Sequence, residues 1–145
     1  MSIIIPELIQ LLSVKLFRSN ISTSDDFCNN PVEINGVAVD VGQNTAHDFE
    51  KKLFRIRLIV KMEGMKDKTN KAGLSGEYGI EFHILVENLN DFIKEKDGKK
   101  LVDKKLGGTL MGLVYSTARG IIFEKTGNTL FNGVLLPVID PNSLL

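Results

Sequence analysis

A chain of 145 residues with 43% hydrophobic content fits one domain, 1–145, with a real core. Eighteen basic residues balance eighteen acidic ones, which removes any long-range steering toward nucleic acid or an anionic membrane. The single cysteine, Cys28, excludes an internal disulfide and suits a reducing compartment.

The N-terminal run MSIIIPELIQLL is apolar but has no basic flank and carries Pro6 and Glu7. It reads as folded chain rather than a secretion signal, and the expected setting is cytoplasmic. Leu12, Val14 and Leu16 alternate with Ser13, Lys15 and Phe17, which predicts a first strand. Between 20 and 50 the pattern weakens. Polar clusters surround Val37 to Val41, so a crossover loop holding one short strand is expected there. Residues 53–63 put Phe54, Ile56, Leu58, Val60 and Met62 on one face of a half-buried strand, and residues 77–87 do the same with Tyr78, Ile80, Phe82, Ile84 and Val86. A lysine- and glycine-rich link, 64–76, joins the two into an antiparallel hairpin and is expected to be mobile. Residues 94–105 hold six lysines and three acids around Gly98. A basic docking patch and a solvated connection both fit, and mixed-sign runs favour the second.

A long helix follows, over 108–126. Leu110, Leu113, Val114, Thr117 and Ile121 line one side, and Met111, Tyr115, Ala118 and Ile122 another, so the helix is expected to be buried on both. Arg119 and Glu124 interrupt it, and it is too short to span a bilayer; no direct membrane insertion is expected. Gly108, Gly112, Ser116 and Gly120 recur every four positions and make a stripe almost free of side chain. Each glycine costs about 1 kcal/mol against alanine, and the compensation available is close approach of another backbone. Arg119 beside that stripe suits a structural pairing, for instance at a subunit contact. Thr126, Gly127 and Asn128 carry helix-ending chemistry. The remainder forms either a short last helix or an extended segment. Sheet first and helix last predicts an α+β fold: an antiparallel sheet with the long C-terminal helix packed on one face.

Catalytic chemistry is thin. His47 and His83 read as solvated side chains, and Cys28 has no basic neighbour in sequence to activate it. No metal spacing, P-loop or dinucleotide glycine pattern occurs, so neither a metal nor a cofactor is expected, and the chain reads as a non-enzyme. Phe27 and Phe49 lie in polar, loop-like stretches, where aromatics can line a groove for extended apolar peptide.

Several residues of the C-terminal stretch, taken jointly, resemble the SecB export-chaperone family. They are Leu106–Gly107, Ala118–Arg119 twelve positions on, a helix end near Gly127, Leu136–Pro137, and the apolar end from Asp140 to Leu145. About forty residues match by spacing, and the upstream strands agree in order and periodicity. The resemblance implies four antiparallel strands under the long helix, assembled as a dimer of dimers with the helices at the centre. On that reading Gly108, Gly112, Ser116, Gly120 and Arg119 form the oligomer interface. It further implies ATP-independent holding of unfolded or pre-secretory polypeptides in apolar grooves, with Phe27, Phe49, Tyr78, Leu136 and Ile139 as peptide-binding residues. The family's members are acidic, with a polar C-terminal tail, and contact the motor SecA. Glu77, Glu81 and Glu87 offer an acidic face, but the neutral balance and the end at Leu145 count against SecA coupling. Two alternatives stand beside an export role: a SecB-like chaperone of a toxin–antitoxin system, and a hot-dog-type acyl thioesterase. The position of the long helix after the sheet counts against the thioesterase.

Overall fold

The structure is a computed structural model that describes residues 3–145. A 3-10 turn at Pro6–Leu8 leads into strand β1 (Ile9–Thr23), then a short helix α1 (Asp25–Asn29) and strands β2 (Gly36–Asp48), β3 (Leu53–Met65) and β4 (Lys71–Val86). A second 3-10 turn precedes a small hairpin, β5 (Ile93–Lys96) and β6 (Lys99–Val102). The long helix α2 (Lys104–Thr126) follows, and the chain ends as an extended strap closed by a 3-10 turn, Pro141–Leu144. The four long strands form one antiparallel sheet in the order β1-β4-β3-β2. The α+β arrangement expected from the sequence is the one observed.

The inward residues of β3 and β4 anticipated by alternation are the core: Leu58, Val60, Ile80, Phe82, Ile84 and Val86 are sealed from solvent. Helix α2 roofs them with Leu106, Leu110, Met111, Val114, Tyr115, Ala118 and Ile122. These make one broad buried face rather than two. Leu113 and Phe123, on the remaining surface of the helix, stay exposed.

Four boundaries differ from the sequence expectation, each for a local reason. Strand β2 is thirteen residues long, not a short Val37–Val41 strand inside a loop. Its inward positions run Val37, Val39, Val41, then Gln43, Thr45, His47, so the apolar signal fades halfway while the ladder to β3 continues. The 64–76 link is mostly strand, and only 66–70 turns. There Asp67 Oδ1 accepts the backbone N–H groups of Thr69 and Asn70, at 2.9 and 2.8 Å. Hydrogen bonding, led by the Asn70 side chain, holds the Asp67 carboxyl at about 2. The lysine-rich 94–105 stretch folds as the β5–β6 hairpin, with Glu95 opposite Lys100. Helix α2 therefore starts at Lys104, where Asp103 accepts the Lys105 N–H at 3.0 Å.

The end of α2 is the fourth. Gly127 keeps a right-handed helical conformation, so the chain does not reverse there. It turns at Asn132 and Gly133, both with positive φ (57° and 90°). The buried hydroxyl of Thr126 secures this reversal. It donates to the Ile122 carbonyl at 2.7 Å and accepts the Val134 N–H at 2.7 Å.

Strand β1 also runs further than its alternating centre suggested, and it carries two bulges, at Leu12 and Phe17. The second lays Phe17 over Gly79. A Cβ on that glycine would come within 2.6 Å of the ring, which makes Gly79 a required close approach.

Candidate functional site

Residues 134–145, the strap, return along one flank of α2 and lie over the inner face of β2. Arg119 Nε donates to the Leu136 carbonyl at 2.9 Å, and the Tyr115 hydroxyl donates to the Pro137 carbonyl. Gln43 Nε2, from β2, donates to the Leu144 carbonyl at 3.0 Å. Under this strap the glycine stripe finds its first neighbour. A Cβ at Gly108 would stand 2.5 Å from Asn142 Oδ1, and one at Gly112 would stand 3.5 Å from Pro141. Gly120 faces open space, and Ser116 is exposed. The near half of the stripe therefore receives the chain's own C-terminal turn. The far half is open to solvent.

An open apolar groove of about 340 Å³ lies beside the strap's end. Its floor is Phe54 and Ile56 from β3 with Leu110 and Met111 from α2. Gln43, Thr45 and His47 form one wall, Leu101, Val102, Lys100 and Lys104 the other, and Leu145 closes one end. The His47 ring packs against Phe49 in a tilted arrangement with centroids 4.2 Å apart. At the strap's other end a second furrow of about 410 Å³ runs between Val37 and Val39 of β2 and the stretch from Gly133 to Pro137. The strap thus has an open channel at each end, apolar beside Leu145 and mixed beside Val37 and Val39. Its own Leu135 and Val138 project outward, 65% and 84% exposed.

The sequence-predicted groove residues divide. Phe49 does not itself line the groove but packs against His47, which does, and Ile139 is a half-buried member of the strap. Phe27 (7% exposed), Tyr78 (2%) and Leu136 (0%) are packed into the single chain's core and offer little surface to an occupant. The Phe27 helix sits against β4 at Gly73, and burial pushes the Tyr78 hydroxyl above its ordinary pKa. Of the residues that do line the groove, the sequence singles out none of Gln43, Thr45, Leu101 and Lys104 and reads His47 only as a solvated side chain. One signal for Gln43, Thr45 and His47 was present: polar residues at the inward register of β2, directly after three inward valines.

The opposite face of the sheet is charged and internally paired. Arg18 Nη1 and Glu77 Oε1 lie 3.2 Å apart, Arg57 Nε and Glu81 Oε1 2.6 Å, and His83 Nε2 and Glu81 Oε2 2.9 Å. Hydrogen bonds from His83 and then Arg57 hold the Glu81 carboxyl at about 2. Cys28 is exposed, its sulfur 3.0 Å from the Thr23 hydroxyl. Among the described residues no group of three His, Cys, Asp or Glu could hold a metal ion, and no helix is long and apolar enough to cross a membrane.

No protein-family model and no curated protein matches the chain. Its fold is nevertheless a known one, that of SecB-like chaperones. The structure of the Mycobacterium tuberculosis Rv1957 SecB-like chaperone, in complex with a ChAD peptide from the Rv1956 HigA1 antitoxin, aligns over 92% of this chain and 91% of that one. The TM-score is 0.58 at 13% sequence identity, a likeness of fold. A protein of unknown function from Streptococcus agalactiae covers 90% of this chain and 97% of its own, at 12% identity and a TM-score of 0.38.

Proposed function

We propose that this protein is a cytoplasmic, ATP-independent holdase chaperone that binds exposed apolar segments of unfolded polypeptides, with no enzymatic activity of its own. The observation that carries the reading is the SecB-like fold with an open channel at each end of the strap, the one beside Leu145 apolar. Apolar burial contributes about 25 cal/mol per Å² covered, so an extended segment gains from many small contacts and is read for hydrophobicity more than for sequence. The SecB-like neighbour carries an antitoxin peptide, which favours a toxin–antitoxin client over a pre-secretory one. Coupling to SecA has less support here, because the outer sheet face spends Glu77 and Glu81 on Arg18, Arg57 and His83.

Self-assembly belongs to the same proposal. On β1, Leu11, Val14 and Leu16 lie opposite the buried Ile84, Phe82 and Ile80, on the inner face, yet each remains 37–38% exposed. A second copy is the cover proposed for them, with a dimer of dimers as the fuller assembly. The decisive experiment is suppression of aggregation of an unfolded reference protein at stoichiometric ratio without ATP, run beside an acyl-CoA hydrolysis assay. Protection without hydrolysis supports the reading; hydrolysis without protection sinks it in favour of a thioesterase.

A further inference from the structure

We infer that the groove between β2, the β5–β6 hairpin and the start of α2 selects extended polypeptide segments whose apolar core is flanked by acidic residues. This rests on the polypeptide-holding reading above and adds to it the charge of the client.

The occupant's form follows from the walls. Gln43, Thr45 and His47 occupy successive inward positions of one strand, so their side chains repeat at the two-residue period of an extended chain. The Thr45 hydroxyl donates to Gln43 Oε1 at 2.6 Å and Gln43 Nε2 to the Leu144 carbonyl, so the Thr45 oxygen, the second amide N–H of Gln43 and the His47 imidazole are the groups left to a partner backbone above an apolar floor. Extended polypeptide offers both the backbone polar groups and the alternating side chains that such a wall and floor meet.

The charge follows from the hairpin. In a chain of zero net charge, residues 94–105 concentrate six lysines against three acids. The fold sets this stretch at the groove mouth, with Lys100, Leu101 and Lys104 among the lining residues. The pairing of Lys94 with Leu101 and of Lys96 with Lys99 puts three lysines around that half-exposed leucine on one face of the hairpin. Asp103, the acid that also lines the groove, is already engaged: it caps α2 and lies 3.8 Å from Lys94. Glu95, opposite Lys100, offsets one lysine, and Asp97 sits at the hairpin tip away from the floor. The surplus at the mouth is positive, so carboxylates flanking an apolar core find complementary charge and lysines find repulsion.

Fluorescence anisotropy with three labelled peptides tests this. They share one apolar core and carry flanking aspartates, serines or lysines. Exposed ion pairs are each weak, so a few of them together give the aspartate-flanked peptide a roughly tenfold advantage over the lysine-flanked one at low salt, shrinking as salt is added. Lys100→Gln with Lys104→Gln narrows the advantage; Lys99→Glu with Lys100→Glu reverses it; Thr45→Trp, which fills the groove, weakens all three peptides. Equal binding of the three peptides overturns the inference and leaves polypeptide holding intact. An acidic preference untouched by Thr45→Trp also overturns it, because the charge would then act outside the groove. Failure of every peptide to bind removes the holding reading itself and the inference with it.

Discussion

Strands β1 and β2 are the two edges of one sheet, and their inner faces meet different fates. Over β2 the chain lays its own strap, fixed at Thr126, Arg119, Tyr115 and Gln43, and the surface left over becomes channel at the strap's two ends. Over β1 no described segment returns, and Leu11, Val14 and Leu16 stay open. Leu113 is exposed as well, on the flank of α2 away from Tyr115 and Arg119. An edge covered by a narrow strap suits exchange with another extended chain. An edge with continuous bare aliphatics suits a broad, lasting partner. On the proposed reading, the same sheet separates holding from assembly by how much of each side its own sequence covers.

The largest test of that contrast is Val14→Asp, set against Leu135→Asp on the strap. Sedimentation is expected to show the first reduced to monomer and the second at unchanged mass. An unchanged mass for Val14→Asp would make the β1 strip merely exposed surface.

Next is Thr126→Val, which keeps the shape but removes the acceptor for the buried Val134 N–H. Urea unfolding should register a loss of about 1–3 kcal/mol, the usual cost of an orphaned buried donor. No loss would mean the strap is not anchored there.

Smaller still is the pair Gly120→Ala and Gly108→Ala. With open space at its Cβ position, Gly120→Ala should gain up to about 1 kcal/mol from helix propensity in the isolated subunit. Gly108→Ala should gain less, because the Asn142 side chain must move aside. If Gly120→Ala also lowers the assembled mass, the far half of the stripe seats a neighbouring subunit.

The outer face, common to both edges, gives the smallest effect. Glu81 titrates at about 2 in the folded chain against an ordinary 4.5. Its folded pKa is depressed, so its contribution is present above about pH 4.5 and is lost as the pH falls toward 2. Glu81→Gln should flatten the stability profile in that window and leave the neutral-pH assembly unchanged. A profile identical to that of the parent would show that the Arg57 and His83 contacts carry no net stabilisation.

The sequence conveyed the centre of the sheet and the helix well, because Phe54 to Met62 and Tyr78 to Val86 alternate without a break and are buried where the alternation put them. It conveyed the edges poorly. Strand β2 hid because Gln43, Thr45 and His47 face inward at a place where inward no longer means dry. The hairpin hid because both of its faces, built from the strands IKEK and KKLV, carry lysines, leaving no hydrophobic period to read. The groove lies where these two poorly marked elements meet, which is why aromatic residues drew attention away from it. Phe27 and Tyr78 stood out by type, but large aromatics fill cores before they line clefts. The glycine stripe led to an expected neighbouring backbone, whereas Gly108 and Gly112 meet side-chain atoms of Asn142 and Pro141 from the same chain and Gly120 meets open space.

The two bulges of β1 have a consequence for length variation. Each absorbs one residue, so Leu11, Val14, Leu16, Ser19 and Ile21 reach the same face at spacings of three, two, three and two. Deleting a residue from an ordinary strand inverts every side chain beyond it. Deleting Leu12 removes a bulge instead and leaves both faces in phase, whereas deleting Lys15 turns the remainder of the strand inside out. Phe17 is the other position of this kind, at the expense of its contact with Gly79. Strand β1 therefore carries two built-in places where the chain can shorten by one residue and keep its sheet.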